Sequence, residues 1–235
     1  MSKERNNLLI AASGTGGHIF PALAVSNKVD KYWNIHWLGI KQRLDCEFVP
    51  RKYNLLTLNL VTPKNNIFIG FQYLKILFST FKILRILKEK KINLVFTTGG
   101  YISAPTILAA KLLKIPIIIH ESNLLPGMVT KYFGFLCNFV FTGFKETNNY
   151  LKNCRTIFTG TPLRGDFYKS NSLPKWVPEG NGPLIIVMGG SQGAKGINKI
   201  FYESQEFLLK KNFRVVHIIG ECNPVNSEIT KSKNY

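Results

Sequence analysis

A histidine follows a glycine-rich turn near the start of the chain. Residues 13–25 read SGTGGHIFPALAV, directly after a short apolar run, LLIAA, at residues 8–12. Glycine lets a ligand approach the backbone closely, and the N–H groups of a helix N-terminus attract anions. A neutral imidazole can accept a proton near pH 7. The stretch therefore predicts an anion site with a titratable side chain, His18, at its mouth. A tight turn without a ligand is the alternative.

A second glycine loop, GGSQGA at residues 189–194, lies between an apolar run at 184–188 and a helical pattern at 197–211. Ser191 and Gln192 add a hydroxyl and an amide, which can form hydrogen bonds with a phosphate or a sugar. Neither loop carries the Lys-Ser/Thr of a P-loop, and neither has the full spacing of a dinucleotide-binding fingerprint. The pair therefore favours a phosphorylated or sugar ligand.

Polar residues also follow two other apolar runs, in TTGGY at 97–101 and HESN at 120–123. In open parallel sheets, ligands bind beyond the carboxyl ends of the strands. We therefore expect five side chains on one rim of a sheet: His18, Tyr101, His120, Glu121 and Asn123. His120 has a second interpretation, as a hydrogen-bonded core residue.

These residues need a parallel sheet to bring them together. Apolar strands alternate with helices, which indicates an α/β fold with parallel sheets covered on both faces. The pattern pauses near residue 161, and a new unit begins after a loop at 170–183. We expect an N-terminal domain at 1–161 and an incomplete second Rossmann-like domain at 162–235. The predicted strands are 8–12, 33–38, 93–97, 115–120, 138–142, 156–158, 184–188 and 214–219; the predicted helices are 19–29 (with Pro21 in its first turn), 103–113 and 197–211.

The chain is strongly basic, with a net charge of +18 over 235 residues. Nucleic acid, an anionic membrane surface, phosphorylated substrates or drift in base composition could each account for this charge. No nucleic-acid recognition motif is found, so we expect no nucleic-acid partner. The four cysteines form no CxxC pair, which argues against a disulfide framework or a zinc site and fits the cytoplasm. We expect neither a signal peptide nor a membrane span.

Residues 71–88, FQYLKILFSTFKILRILK, form a helical pattern with surplus apolar surface. One apolar face would suffice for docking on a sheet. A basic helix with more apolar surface than that suits an anionic bilayer interface. An unusually well buried core helix is the alternative. The polar residues are expected to form a narrow stripe: Gln72, Lys75, Ser79, Lys82 and Arg85.

Taken together, four stretches resemble the signatures of one enzyme family, the GT-B-type glycosyltransferases of family 28 in peptidoglycan synthesis. The stretches, in order, are GTGGHIFPALAV, TTGGYISAPTILAAKLLKIPIIIHESNLLPG, TGTPLR and MGGSQGAKGIN. The resemblance implies inverting transfer of N-acetylglucosamine from UDP-GlcNAc to lipid I, which forms lipid II. It implies two Rossmann-like domains facing a cleft, no cofactor, no metal, and a peripheral location at the cytoplasmic face of the plasma membrane.

The resemblance also assigns residues. His18 would be the general base and Glu121 a second catalytic residue, near the acceptor with Tyr101. The loop residues Thr15, Gly16 and Gly17 would bind substrate, and Asn123, Arg164, Ser191 and Gln192 would contact UDP-GlcNAc. The chain departs from the family pattern at Ser13, Ser122 and Thr161. Family members are about half as long again, so we expect an incomplete donor site and weak UDP-GlcNAc binding. A non-catalytic nucleotide- or anion-binding fragment is the alternative function.

Overall fold

A computed structural model describes residues 5–41, 48–58, 69–169, 172–190 and 193–220. The chain divides into two compact units, Met1–Tyr168 and Lys169–Tyr235.

The first unit is built on a seven-stranded sheet with the order β3-β2-β1-β4-β5-β6-β7. Every neighbouring pair is parallel, so all strands end at the same edge. This confirms the predicted parallel α/β architecture and places the segments that follow β1, β4 and β5 side by side. The strands are β1 (Asn7–Ala11), β2 (Asn34–Ile40), β3 (Asn54–Leu58), β4 (Ile92–Thr97), β5 (Ile117–Glu121), β6 (Phe139–Thr142) and β7 (Thr156–Phe158).

Helices cover both faces of this sheet. On one face, α1 (Gly16–Val29) buries Ile19 and Leu23 against Ile10 and Trp37. On the other face lie α2 (Ile69–Glu89), α3 (Ser103–Leu112) and α4 (Met128–Phe133), and their core residues pack against β1, β4 and β5. The helix that opens at the glycine loop is thus held on one side of the sheet, and the other three form a layer on the opposite side.

The start of α1 differs from the sequence-based prediction. The helix begins at Gly16, because the carbonyl oxygen of Thr15 accepts hydrogen bonds from the N–H groups of both His18 and Ile19. Pro21 therefore lies inside the helix, and the prediction that it occupies the first turn was wrong. Pro21 has no N–H to donate, but it is buried in the sheet-facing side of α1. His18 consequently lies within the first helical turn.

Helix α2 has one core face and one exposed apolar face. Ile83 and Leu87 are buried, and Ser79 lies with them, so the predicted polar stripe was wrong at Ser79. The opposite face exposes Leu77 and Phe78, together with Phe81. Among the described residues, no helix combines the length and apolarity that crossing a bilayer would require.

The second unit contains β8 (Leu184–Met188), α5 (Lys195–Lys210) and β9 (Arg214–Ile218). The two strands form a parallel pair, which confirms the predicted strand–helix–strand unit. Asn198, buried on α5, donates to the Ile219 carbonyl oxygen at 3.0 Å and lies 3.0 Å from the His217 imidazole. This pair of contacts ties the helix to the end of β9.

Candidate functional site

The glycine loop after β1 leaves the start of α1 without a side-chain cap. Thr15, the N-cap residue, has an extended backbone but makes no side-chain capping hydrogen bond. Gly14 has a φ of +106°, a conformation that glycine adopts without the strain of a side chain. The first N–H groups of a helix have no partner within the helix. Those of Gly16 and Gly17 are therefore available to an anionic ligand.

His18 is held by the turn that follows β4. Its Nδ1 lies 2.7 Å from the carbonyl oxygen of Thr98, and the Thr98 hydroxyl donates to the His18 carbonyl oxygen at 2.8 Å. Because a carbonyl oxygen can only accept, Nδ1 must carry the proton when the ring is neutral. That assignment leaves the Nε2 lone pair unprotonated, and no described residue bonds to it. The ring is half-buried, so Nε2 is a proton acceptor in a partly sheltered position.

Two glycines form the surface against which the His18 ring lies. Gly99 and Gly100 have φ values of +87° and +80°. A Cβ added at Gly99 would lie 3.5 Å from Cε1 of His18, whereas one at Gly100 would lie 3.5 Å from Cδ2 and 3.6 Å from Nε2. The hydroxyl of Ser103, the first residue of α3, donates to the Gly99 carbonyl oxygen at 2.6 Å and fixes the turn. The TTGG sequence therefore supplies both the hydrogen-bond partner and the space that the imidazole needs.

Glu121, at the end of β5, organises the next loop. One carboxylate oxygen accepts from the backbone N–H and the side-chain amide of Asn123, at 3.0 and 2.8 Å. The other accepts from the Gly127 N–H at 2.9 Å and the Thr130 hydroxyl at 2.6 Å. Glu121 is only 4% exposed. Four donors thus satisfy a buried carboxylate, which holds residues 122–127 to the start of α4.

His120 connects β5 to the segment that follows β7. It is buried, its Nε2 lies 2.9 Å from the Gly160 carbonyl oxygen, and its Nδ1 lies 3.2 Å from the Ser122 hydroxyl. Burial lowers the pKa of His120, against the opposing effects of the Gly160 hydrogen bond and the Glu121 charge. The interpretation of His120 as a hydrogen-bonded core residue is confirmed. Its ring fixes the chain four residues before Arg164.

Arg164 lies on an aromatic cluster that begins in α1. Its guanidinium carbon is 4.3 Å from the Phe20 ring centroid and 5.7 Å from that of Phe167. Phe20 also meets Phe48 edge to face, with centroids 5.2 Å apart. A Cβ added at Gly16 would come within 2.8 Å of the Phe20 ring. The glycine loop, Phe20 and Arg164 are therefore neighbours, a contact that sequence reasoning missed because Phe20 fits the apolar pattern of α1.

Three buried polar atoms of the first unit have no hydrogen-bond partner among the described residues: Ser13 Oγ, Tyr101 Oη and Arg164 Nε. Ser13 and Tyr101 follow the adjacent strands β1 and β4 at the carboxyl edge. Burial also raises the pKa of the Tyr101 phenol, so the group is a hydrogen-bond donor at neutral pH. Buried polar groups are nearly always paired with protein, water or ligand. Their concentration here favours a polar ligand at this edge.

The described contacts link some of the predicted site residues to neighbouring loops or to one another. His18 lies against the turn that precedes Tyr101, Glu121 bonds directly to Asn123, and Arg164 joins the loop through Phe20. Ser191 and Gln192 lie outside the described residues. Within the described part of the chain, no three His, Cys, Asp or Glu side chains gather as a metal site would require. Among the described residues, this edge carries an imidazole with one unbonded nitrogen, the uncapped N–H groups of α1, the Arg164 guanidinium, and buried polar atoms without partners.

Residues 8–142 match the model of the glycosyltransferase family 28 N-terminal domain. A protein of Prochlorococcus marinus strain MIT 9515 is 77% identical over all 235 residues, which span 65% of its length. A second, from strain NATL1A, is 50% identical over 96% of this chain and 65% of its own. Both are named UDP-N-acetylglucosamine--N-acetylmuramyl-(pentapeptide) pyrophosphoryl-undecaprenol N-acetylglucosamine transferase. The chain thus spans about two thirds of the length of these relatives.

Solved structures of related fold superimpose on this chain. The crystal structure of Acinetobacter baumannii MurG superimposes with a TM-score of 0.67 at 26% identity, over 93% of this chain and 59% of that one. A putative UDP-N-acetylglucosamine 2-epimerase from Listeria monocytogenes superimposes with a TM-score of 0.61 at 12% identity, over 97% of this chain and 65% of that one, a likeness of fold alone. Since the family model covers more than half of the chain and includes the His18, Tyr101 and Glu121 segments, the protein belongs to glycosyltransferase family 28.

Proposed function

We propose that this chain is part of an inverting glycosyltransferase that moves N-acetylglucosamine from UDP-GlcNAc to lipid I, forming lipid II. The relatives that share up to 78% of its sequence carry the name of that transfer reaction. The observation that carries the proposal is the position of His18, whose Nδ1 is fixed by Thr98 while no described residue bonds to Nε2. A base held in this way at an anion-binding loop suits the activation of a sugar hydroxyl.

In the proposed reaction, Nε2 of His18 removes the proton from the acceptor hydroxyl as its oxygen attacks the anomeric carbon. The bond from that carbon to the UDP oxygen breaks in the same step, and UDP leaves with the electron pair. A single in-line displacement of this kind inverts the anomeric configuration. The helix N-terminus at Gly16–Gly17 and the guanidinium of Arg164 supply positive potential for the phosphates, without a metal ion or cofactor.

Glu121 and its neighbours act in this proposal by shaping the acceptor side. Both oxygens of Glu121 already accept hydrogen bonds, so it holds the loop that carries Asn123. Tyr101 Oη, which lacks a partner, is available to a polar group of the acceptor. Asn123, Arg164, Ser191 and Gln192 are assigned to UDP-GlcNAc, and Thr15, Gly16 and Gly17 to the substrate loop. Residues 1–161 would form the acceptor domain and 162–235 part of the donor domain.

We also place the protein peripherally at the cytoplasmic face of the plasma membrane. Three large apolar side chains on α2 are more than half exposed, Leu77, Phe78 and Phe81. Lys82 lies beside them and is exposed; Arg85, one turn further along, is also exposed and pairs with Glu89 at 2.6 Å. An apolar surface bordered by cations fits an anionic bilayer interface, and a lipid-linked acceptor requires the enzyme there.

The test is a chimera that continues these 235 residues with the remainder of the MIT 9515 relative. We expect it to transfer N-acetylglucosamine to lipid I, and His18→Ala to lower kcat by about 10²–10⁴-fold with UDP binding retained. His36→Ala is the matched control, since His36 lies within β2, where its Nδ1 is 3.2 Å from the side-chain amide of Asn54. Near-normal turnover in His18→Ala would refute the role of His18. A chimera that binds UDP but transfers nothing would favour a nucleotide-binding function.

A further inference from the structure

Helix α4 and the turn after it expose a second set of large apolar side chains. Met128 is 70% exposed, and Tyr132 and Phe135 are also more than half exposed. The spacing of four residues places Met128 and Tyr132 on one side of α4, and Phe135 lies in the turn that follows the helix. Val129 and Phe133, on the other side, pack against the core. The three exposed residues, called the α4 stripe below, are therefore apolar surface beyond what the core uses.

A basic groove of about 280 Å³ borders this stripe. Lys131 and Lys152 line it, together with the rings of Phe135 and Tyr150 and the backbone around them. No Asp or Glu lines the groove, and no described carboxylate forms an ion pair with either lysine. The Lys131 ammonium lies 5.7 Å from the Tyr132 ring centroid. Cations and aromatic residues thus line one groove, with no Asp or Glu among its described lining residues.

This surface belongs to the same helical layer as the exposed face of α2. Helix α3 packs against both α2 and α4, on one face of the sheet. Leu112, in the last turn of α3, is also exposed between them. A partner that covers an extended area of this helical layer can therefore contact both α2 and α4. A lipid bilayer covers such an area, whereas a single small anion does not.

We propose that the α4 stripe and its groove are a second docking surface for an anionic phospholipid bilayer. Lys131 and Lys152 meet lipid phosphates, and Met128, Tyr132 and Phe135 enter the interfacial region. Lysines keep their charge at the headgroups while their stems and neighbouring rings lie deeper. This inference rests on the proposed membrane association and adds the contact that fixes how the first unit lies on the membrane.

The test measures binding of the 235-residue chain to sedimented vesicles of phosphatidylglycerol and phosphatidylcholine in equal parts. Each lysine near an anionic surface contributes roughly a fivefold gain in binding, so Lys131→Gln/Lys152→Gln should weaken it about 30-fold. Lys28→Gln/Lys31→Gln removes the same charge from exposed positions at the end of α1, on the other face of the sheet, and should have a much smaller effect. An equal loss in both pairs would overturn the proposal.

The chain offers a second matched pair for the stripe. Lys31 lies 4.8 Å over the Tyr32 ring, an exposed lysine–tyrosine pair like Lys131 and Tyr132 but on the opposite face. Tyr132→Ser should weaken vesicle binding, and Tyr32→Ser should not, with unchanged thermal unfolding in both. Loss of binding in Tyr32→Ser alone would contradict the assignment of this face.

Two further outcomes separate this inference from the membrane proposal it rests on. If Phe78→Ser/Phe81→Ser weakens binding while the α4 and groove variants do not, α2 alone is the membrane surface and the second surface is refuted. If the unmodified chain binds no vesicles, both proposals fail. Inorganic phosphate at constant ionic strength should not displace the vesicles; displacement would show a free-anion site and overturn the bilayer assignment.

Discussion

The paired glycines beneath His18 allow the base assignment to be tested without any substrate. Gly99 and Gly100 both have positive φ values, so alanine at either position forces an L-residue into the left-handed region. Each substitution should cost about 1–2 kcal/mol of unfolding free energy for that reason. The added Cβ atoms would make only ordinary van der Waals contacts, at 3.5 Å or more, so steric clash adds little. The two variants are therefore matched in stability.

The Gly99→Ala and Gly100→Ala variants differ in which edge of the His18 imidazole the added Cβ approaches. The Cβ of Gly99→Ala would lie 3.5 Å from Cε1 and 3.8 Å from Nδ1 of His18. Nδ1 is already bonded to the Thr98 carbonyl oxygen. The Cβ of Gly100→Ala would lie 3.6 Å from Nε2, the nitrogen that is proposed to accept the proton. Gly100→Ala should therefore restrict access to Nε2, whereas Gly99→Ala should leave it open.

The assay is the rate at which diethylpyrocarbonate acylates His18, followed by peptide mass spectrometry on the 235-residue chain. The lone pair of an unprotonated imidazole nitrogen attacks a carbonyl carbon of the reagent and displaces ethyl carbonate, so Nε2 is the expected site. Gly100→Ala should slow the reaction relative to Gly99→Ala, with equal unfolding free energies in urea. Equal rates in the two variants, or slower reaction in Gly99→Ala, would refute the assignment of Nε2 as the open nitrogen.

Three more predictions follow from contacts in the first unit. Thr98→Val, which removes the hydroxyl bonded to the His18 carbonyl, should lower the unfolding free energy by about 0.5–1.5 kcal/mol, and Thr98→Ser should restore it in urea denaturation. Phe78→Ser/Phe81→Ser should weaken binding to anionic vesicles with little change in melting temperature, whereas Ile83→Ala, at a buried site of the same helix, should cost about 2–5 kcal/mol. Burial lowers the pKa of His120 from its ordinary value of 6.5, so on acidification the unfolded chain binds the proton first. Stability should therefore be complete above about pH 6.5 and fall below it, by at most about 1.4 kcal/mol per pH unit, until the lower folded pKa is reached. His120→Gln should remove this part of the pH dependence in urea titrations.

The sequence allowed the sheet to be predicted because its strands are apolar and bounded by turn residues. The strands at 156–158 and 184–188 match the structure at both ends, and the others differ by one to a few residues. Strand β3, NLLTL at Asn54–Leu58, was missed; its polar residues and edge position give it a weaker pattern than the central strands. Ser79 was placed on the wrong side of α2 because a serine in a helix can face either water or the core.

The candidate site was predictable as a set of residues but not as a set of contacts. Parallel topology brings the carboxyl ends of β1, β4 and β5 together, which is why His18, Tyr101 and Glu121 could be assigned to one edge. The bond between His18 and Thr98 joins residues 80 positions apart, and that between His120 and Gly160 joins residues 40 apart. Neither partner has a local signal, since both acceptors are backbone carbonyl oxygens. The Phe20–Arg164 contact is hidden for a different reason, because Phe20 fits the apolar pattern of α1.

These long-range contacts explain how the proposed base can be ready before a substrate arrives. Every described support of His18 comes from the first unit: the α1 backbone, the Thr98 carbonyl and the Gly99–Gly100 turn, which Ser103 fixes. A preorganised group needs no rearrangement at the moment of reaction, so no free energy is spent on reorganising it in the transition state. The Thr98 carbonyl oxygen keeps the proton of the neutral His18 ring on Nδ1. It can do so because β1 pairs with β4, so the segments that follow these two strands lie side by side. In the proposed function, the first unit alone would therefore position the base.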